Sequence, residues 1–381
     1  MRIAVIAPWV PAVKGNSLAA SFARSLSKHF HDVDFIVHTM KADLEEDLKR
    51  ILGERVNLVA LNKSAEEKIS SYRYLKMQYF SKIDDDLSDF ILTRGDYNLL
   101  VVISNEGRGI ARRVKKKLTD TQSAALKTAI IVQELIDYSF EISKEGIPSY
   151  IRKMFLFLKP IFRYIERKRL TGFDLIYSNS NWTSKKLFEL YGIKSRMSLA
   201  LYDDMNFKMK DIGAKEEQIV VPTASLDKSG SELLLRLHND GIPLVAFGPK
   251  NVEGLNNLGF LPLEEMHRII SISKATLFYF DYEALGLIPF ESLSLGTPVI
   301  TLPKQGPYEE LKENKFVFFF DNYDSLLKTS RDLIHSTQNS DYRQGCSDSV
   351  SGFHSAIVVN RFLEDFVSYI GGEKHFSEFF N

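Results

Sequence analysis

Two glutamates, Glu283 and Glu291, stand eight positions apart in the stretch "DYEALGLIPFESLSLGTPVI" (281–300), with Gly286 and Pro289 between them. The stretch follows the strand-like run "ATLFYF" (275–280) directly. Pro289 suits the first turn of a helix, where its missing N–H costs no bond. Gly296 suits a left-handed stop. "PFESLSL" therefore predicts a short helix with Glu291 in its first turn and Glu283 in the loop before it. A helix N-terminus presents unpaired N–H groups and a dipole that favours an anion. Gly286 removes side-chain bulk where a ligand closes on the backbone. Two carboxylates repel a phosphate placed there, but they accept hydrogen bonds from hydroxyls. A ligand carrying both a diphosphate and several hydroxyls, as nucleotide sugars do, satisfies both demands. Taken in isolation, the pair also reads as a solvated loop glutamate and an ordinary helix-start glutamate.

Such a site needs strand ends to hold it. Short β-branched runs alternate with helical-period segments: "RIAVIAP" (2–8), "DVDFIVHT" (32–39), "NLLVVIS" (98–104), "TAIIVQ" (128–133) and "DLIYSNS" (174–180). The polar stretch "NFKMKDIGAKEEQ" (206–218) interrupts the pattern and reads as a linker. The alternation restarts with "IVVPTAS" (219–225), "PLVAFG" (243–248), "ATLFYF", "PVITLP" (298–303) and "FVFFF" (316–320). Strand–helix alternation of this kind predicts an α/β fold, here two doubly wound parallel-sheet domains. The expected divisions are 1–205, a linker over 206–218, a second domain over 219–350, and a helical tail over 351–381 packing back across the domains. Ligands of such sheets bind outside the carboxyl ends of the strands, so two facing domains predict a cleft between them.

Bulk composition narrows the rest. Lys+Arg and Asp+Glu both number 49, so no overall field attracts nucleic acid. The lone Cys346 excludes a disulfide framework within one chain and fits a reducing, cytoplasmic setting. The opening "MRIAVIAPWVPAV" is broken by Pro8 and Pro11 and reads as a buried first strand rather than a leader. Asp84 and Asp86 in "KIDDDLSDF" have D-x-D spacing, but they lie in a helical-period stretch and read as a solvated helix face; no metal is expected. "SYIRKMFLFLKPIFRYIERKRL" (149–170) combines seven Lys/Arg with one Glu and many aromatic and aliphatic residues. That is the pattern of a helix on a membrane surface, though a basic helix packed on its own domain shares it.

"EALGLIPFESLSLGTPVI" closely resembles the E-x7-E signature of the retaining glycosyltransferases of family 4 (group 1), which reads E-G-F-G-L-x-x-x-E-A-x-x-x-G-x-P-V-I. Glu283, Gly286, Leu287, Glu291, Gly296, Pro298, Val299 and Ile300 fit, while Ala284 stands where the family prefers glycine. The resemblance extends over 216–325, through "LGFLPLEEMHRIISISKATLFYF", with Gly259 opening it, to the turn "PKQGPYEEL". The amino half resembles the family more weakly, in "PAVKGNSLAASFARSLSKHFHDVDFIV" and in "YIERKRLTGFDLIYSNSNWTSKKLFELYGI". The resemblance implies the GT-B fold, two facing Rossmann-like domains with an interdomain cleft. It also implies a metal-independent, retaining hexosyl transfer from a nucleotide diphosphate sugar to a hydroxyl of a glycan, lipid-linked or small-molecule acceptor, with no further cofactor. By the same resemblance Glu291 holds the ribose hydroxyls and Glu283 those of the transferred sugar. Backbone N–H groups at Gly286 and Leu287 meet the phosphates, Gly15 lets the first loop approach the donor, and Lys228 neutralises the leaving diphosphate.

Two positions depart from that pattern. Five residues before Lys228 the family has an arginine, and this chain has Thr223, which leaves Lys250 or Lys304 to supply the missing charge. Where many relatives place an acceptor-side histidine, this chain has Gln133 and Glu134, and no histidine lies between His38 and His238. In retaining enzymes of this fold the leaving phosphate takes the acceptor proton on the same face, and no protein base is required. These departures leave two rivals: an epimerase or phosphorylase on the same fold, the former disfavoured by the E-x7-E segment, and a degenerate nucleotide-sugar-binding or scaffolding protein.

Overall fold

Alternate residues of the first strand, β1 (Arg2–Ile6), go to opposite faces. Ile3 and Val5 join one apolar cluster, and Ala4 and Ile6 another. The same division recurs in β5 (Leu99–Ile103) and β6 (Lys127–Val132), so that sheet is buried on both sides by helices, as a parallel sheet must be. The computed structural model describes residues 1–10, 13–64, 77–104, 107–135, 149–202 and 215–371. The chain divides into two units, Met1–Met205 with Ser355–Asn381, and Asn206–His354.

In the first unit the remaining strands are β2 (Trp9–Val10), β3 (Asp32–Lys41), β4 (Val56–Ser64) and β7 (Leu175–Ser178). They order as β4-β3-β1-β5-β6-β7, with β2 continuing along the edge of β3 beyond β1. The second unit holds β8 (Glu216–Pro222), β9 (Leu244–Phe247), β10 (Asn256–Asn257), β11 (Ser273–Phe278), β12 (Val299–Thr301) and β13 (Val317–Phe319), in the order β10-β9-β8-β11-β12-β13. With β2 set aside, each sheet numbered on its own reads 3-2-1-4-5-6 with parallel pairings, the Rossmann order. The two expected doubly wound sheets are present.

β4 is absent from the runs singled out in the sequence because Asn57, Asn62 and Lys63 break its apolar pattern. It is an edge strand, and Asn57 donates to the nearly buried Asp34 at 2.8 Å. "ATLFYF" ends as a strand at Phe278, two residues early. Its neighbour β12 stops at Thr301, whose hydroxyl donates to the Phe278 carbonyl at 2.8 Å. Tyr279 and Phe280 therefore belong to the loop that leaves the sheet.

Helix Ser355–Ile370 lies with the first unit. Phe362 meets the rings of Phe22 and Tyr177 edge-on, with centroids 5.2 and 5.3 Å apart, and Tyr177 donates to Asp365 at 2.7 Å. Most of the expected linker, 206–214, falls outside the described residues. Its last part does not: β8 begins at Glu216, and Lys215 before it is buried. No helix among the described residues is long and apolar enough to cross a membrane.

Lys215 sits under the amino ends of the second sheet, where its ammonium donates to Thr297 Oγ1 at 2.6 Å and to the Ser273 carbonyl at 2.9 Å. Burial, reinforced by the charge of Arg343, pulls its pKa down to about 7. Below that pH folded and unfolded chains both hold the proton, and the cost of burying the charge is present in full. Between about 7 and the ordinary lysine value near 10.4 only the unfolded chain holds it, so stability rises with pH. Each tenfold change in proton affinity is worth about 1.4 kcal/mol. Lys215→Met should therefore be more stable than the natural protein at neutral pH, with the difference shrinking toward pH ~10. Urea denaturation of both proteins across that range reads the effect. A difference independent of pH would mean that Lys215 titrates normally.

Candidate functional site

The strand order of the second sheet reverses between β8 and β11, the switch point at which sheets of this kind bind ligands in a crevice outside the carboxyl ends of their strands. From β8 comes Thr223–Asp227, which leads into the helix Lys228–Asn239; from β11 come Tyr279 to Gly286, which lead into the helix Leu287–Ser294. The Tyr279 and Ser229 hydroxyls, 3.1 Å apart, link the two sides. Lys228, Glu283, Gly286, Leu287 and Glu291 are thus gathered at one end of one sheet.

The helix after the loop starts earlier than expected. Leu287 is its first residue, Gly286 caps it with φ 76°, and Pro289 is its third residue. The first four N–H groups of a helix lack intrahelical partners, so proline is tolerated at the third position too. Glu291 is therefore in the second turn, not the first. It is half-buried, one turn along from Leu287 on the same face. Gly296, with φ 75°, ends the segment as the sequence implies.

The loop carrying Glu283 is clamped from β12. Gln305 Oε1 accepts the Glu283 N–H at 2.6 Å, Gln305 Nε2 donates to the Asp281 carbonyl at 3.2 Å, and the Gly306 N–H donates to the Glu283 carbonyl at 3.2 Å. Gln305 has φ 58°, the single positive value outside glycine among the described residues. A Cβ on Gly306 would lie 1.9 Å from the Ala284 carbonyl oxygen, so no side chain fits there. Ala284, where the family pattern has glycine, is buried within the loop. The Glu283 side chain turns inward, with Oε1 accepting the Gly286 N–H at 3.2 Å. The N–H expected to meet a phosphate is thus in contact with a carboxylate, and the two anions compete for one donor. Neither Gln305 nor Gly306 was picked out from the sequence as a site residue. Their signal is the "KQGP" turn, readable only once the loop it holds is known.

Around the crevice stand three lysines. Lys228, on the first turn of its helix, has a side chain 92% exposed, with its ammonium 3.8 Å from Glu232. The ammonium of Lys250 donates to the Leu226 carbonyl. That of Lys304 donates to the Asp281 carbonyl at 3.1 Å and stands 5.3 Å from the Phe280 ring centre. Asp227, unremarked in the sequence, caps the helix of Lys228: its Oδ1 accepts from the Gly230 N–H at 2.7 Å and from the Ser229 hydroxyl at 2.8 Å. Burial alone would raise its carboxyl, but these donors and the nearby charge of Lys304 hold it below the ordinary range. Thr223 is wholly buried; its hydroxyl accepts the Lys250 N–H at 3.1 Å, and a Cβ on Gly248 would come within 2.7 Å of it. The position that carries the family's arginine is here a packing position that braces the Lys250 loop.

The other expected residues belong to the first unit. Gly15 is in the first turn of the helix Val13–Leu26, after β2. Gln133 and Glu134 follow the carboxyl end of β6, and the Glu134 carbonyl accepts from the buried Arg108, which also pairs with Glu166. Asp84 is not solvated as its helical pattern suggested. It is fully buried, and Oδ2 accepts from Arg113 at 2.6 Å and Arg169 at 2.7 Å, while Asp86 meets His38 Nε2 at 2.9 Å. The two acids at D-x-D spacing thus face different partners, Asp84 inside the fold and Asp86, with a side chain 38% exposed, near its surface.

Residues 250–347 match the family described as Glycosyl transferases group 1. A comparison with curated protein sequences finds no match. Among solved structures the chain is similar to the sucrose-phosphate synthase of Thermosynechococcus elongatus, at 14% identity and TM-score 0.71, with 97% of this chain and 99% of that one covered. It is similar to a glycosyltransferase of Rickettsia africae at 12% identity and TM-score 0.65, covering 98% and 99%. It is also similar to S. aureus MnaA, in a structure with UDP, at 12% identity and TM-score 0.56, covering 98% of each. At such identities the likeness is one of fold. The loop from β11 at the sheet's switch point therefore lies within the segment that matches Glycosyl transferases group 1, in a chain whose fold of two Rossmann-type sheets is shared with these structures.

Proposed function

We propose that this protein is a retaining, metal-independent glycosyltransferase that moves a hexosyl group from a nucleoside diphosphate sugar to a hydroxyl acceptor. The observation that carries this reading is the rigid placement of Glu283 and Gly286 at the β8–β11 crevice, within the matched segment. The diphosphate takes the Gly286 N–H now bonded to Glu283 and the start of the helix Leu287–Ser294. The displaced Glu283 carboxylate turns to the sugar hydroxyls. Glu291, one turn further along, holds the ribose hydroxyls. Lys228 and Lys304 approach the β-phosphate from opposite sides of the crevice and balance the charge that grows as it leaves, which is the duty of the absent arginine. The bond from the anomeric carbon to the phosphate oxygen breaks while the bond to the acceptor oxygen forms on the same face. The acceptor proton passes to the departing phosphate, so no histidine is needed on the Gln133–Glu134 side. The acceptor is a glycan, a lipid-linked sugar or a small alcohol. The buried Thr223 favours one other reading, a nucleotide-sugar-binding protein that has lost transfer.

The two glutamates should respond differently to substitution. Glu291→Gln removes a contact made equally in ground and transition states, and should weaken both donor and free nucleoside diphosphate, mainly raising KM. Glu283→Gln removes a contact to the part that becomes oxocarbenium-like, and should lower kcat while nucleoside diphosphate affinity stays nearly intact. One charge-assisted hydrogen bond is worth about 1.5–3 kcal/mol, or roughly ten- to a hundredfold in rate. Calorimetry with the nucleoside diphosphate beside initial rates with the full donor separates the two. Equal weakening of nucleotide binding by both, or no change in rate with either, would remove the glutamates from the site.

Because lysines and N–H groups carry the diphosphate, EDTA should leave the initial rate unchanged. An activity abolished by EDTA and restored by titrated Mg²⁺ or Mn²⁺ would contradict that part of the reading.

A further inference from the structure

Helix Ser149–Leu170 is built the wrong way round for a helix facing water. Its only acid, Glu166, points inward and is 1% exposed, paired with the equally buried Arg108. Leu170, one turn on, is fully buried, and Arg169 reaches inward to Asp84 at 2.7 Å. These inward bonds fix the rotation of the helix about its axis. The opposite face then carries Leu156, Phe157, Ile161 and Tyr164, exposed by 56, 84, 55 and 57%, with Pro160 among them. The spacing 153, 156–157, 160–161, 164, 167–168 is one continuous helical stripe. Its apolar middle is bounded by exposed Lys153 at one end and exposed Arg167 and Lys168 at the other, and no acid stands on it. Lys168 lies over the Tyr164 ring, with its ammonium 4.4 Å from the ring centre.

Single exposed apolar residues are ordinary; a contiguous stripe with a large aromatic at its centre marks a contact surface. The charge pattern says which. Basic ends around an apolar strip match the boundary of an anionic bilayer, where rings and aliphatic chains enter the acyl region and cations meet phosphates. We propose that this face docks the protein on an anionic lipid bilayer, with Phe157 and Ile161 inserted and Lys153, Arg167 and Lys168 at the headgroups. The helix reaches the acceptor side through Arg108, which bonds Glu166 on the helix and the Glu134 carbonyl at the end of β6. Docking therefore fixes the height of the Gln133–Glu134 segment above the bilayer, as a lipid-borne acceptor requires. The docking itself does not depend on the sugar transfer argued above, and its test requires no activity.

The full-length protein is floated with vesicles of phosphatidylcholine, with and without phosphatidylglycerol, at low and high salt. Binding is expected to vesicles that contain phosphatidylglycerol and to fall as salt rises, because the surface attraction is screened within about 10 Å at 0.1 M. Phe157→Asp/Ile161→Asp should reduce that binding at least ~tenfold. Arg167→Gln/Lys168→Gln should weaken it and flatten its salt dependence. Since all four side chains are exposed, the variants should keep the natural far-ultraviolet dichroism and melting midpoint; Tyr164→Ser supplies a milder variant should the double aspartate not. Absence of binding to anionic vesicles by the natural protein overturns the proposal, as does binding unaffected by the apolar substitutions. Self-association that Phe157→Asp/Ile161→Asp abolishes, without vesicle binding, would assign the face to a second copy of the chain instead.

Discussion

Gln305 holds a backbone conformation that costs a non-glycine residue energy, of the order of 1–3 kcal/mol, and the surrounding bonds show what maintains it. Its side-chain amide is spent entirely on the loop leaving β11, accepting from one residue and donating to another. The next residue, Gly306, lets that loop come within a distance no Cβ would permit. Two short segments, leaving the neighbouring strands β11 and β12, are thereby locked together beside the point where the sheet order reverses. The orientation of Glu283, its bond to the Gly286 N–H and the start of the helix at Leu287 all follow from this lock. For the proposed function this rigidity matters, because a carboxylate that is to act on a sugar must be held to a fraction of an ångström. Strain of this kind is tolerated where it holds a site.

The sheets were legible in the sequence because parallel strands buried on both faces read as apolar runs, as "LLVVI" and "AIIV" do. β4 was not, since an edge strand tolerates Asn57 and Lys63, and β10 has only two residues. The positions of Glu283, Gly286 and Gly296 were readable because glycine and proline punctuate local structure. Glu291 was placed a turn early because proline is accepted at more than one position of a first turn. What could not be read was anything that depends on a distant partner. Asp84 has the pattern of a surface residue, and only Arg113 and Arg169, from two other helices, explain its burial. Thr223 looks like a lost cation until Gly248 and the Lys250 N–H appear beside it.

Charge in this molecule is placed by the same logic at both of its unusual surfaces. A buried acid is tolerated when an arginine meets it, so Glu166 and Asp84 can face inward and leave an apolar stripe outward. At the crevice, Asp227 is consumed by the helix start it caps, while Lys228 beside it extends a side chain 92% exposed. The sequence has equal numbers of acids and bases, and the local separation of the two creates both features.

The proposed function requires that the crevice at the end of β8 and β11 bind and cleave a nucleoside diphosphate sugar. The most direct measurement is release of nucleoside diphosphate by the full-length protein from a panel of UDP-, GDP- and ADP-sugars, with hydroxyl acceptors, sugars and lipid-linked sugars among them. Release is expected from at least one donor, stimulated by an acceptor, with the anomeric configuration of the donor kept in the product. Binding of donors without release under any acceptor would contradict transfer and leave a binding protein, and failure to bind any of them would contradict the site itself.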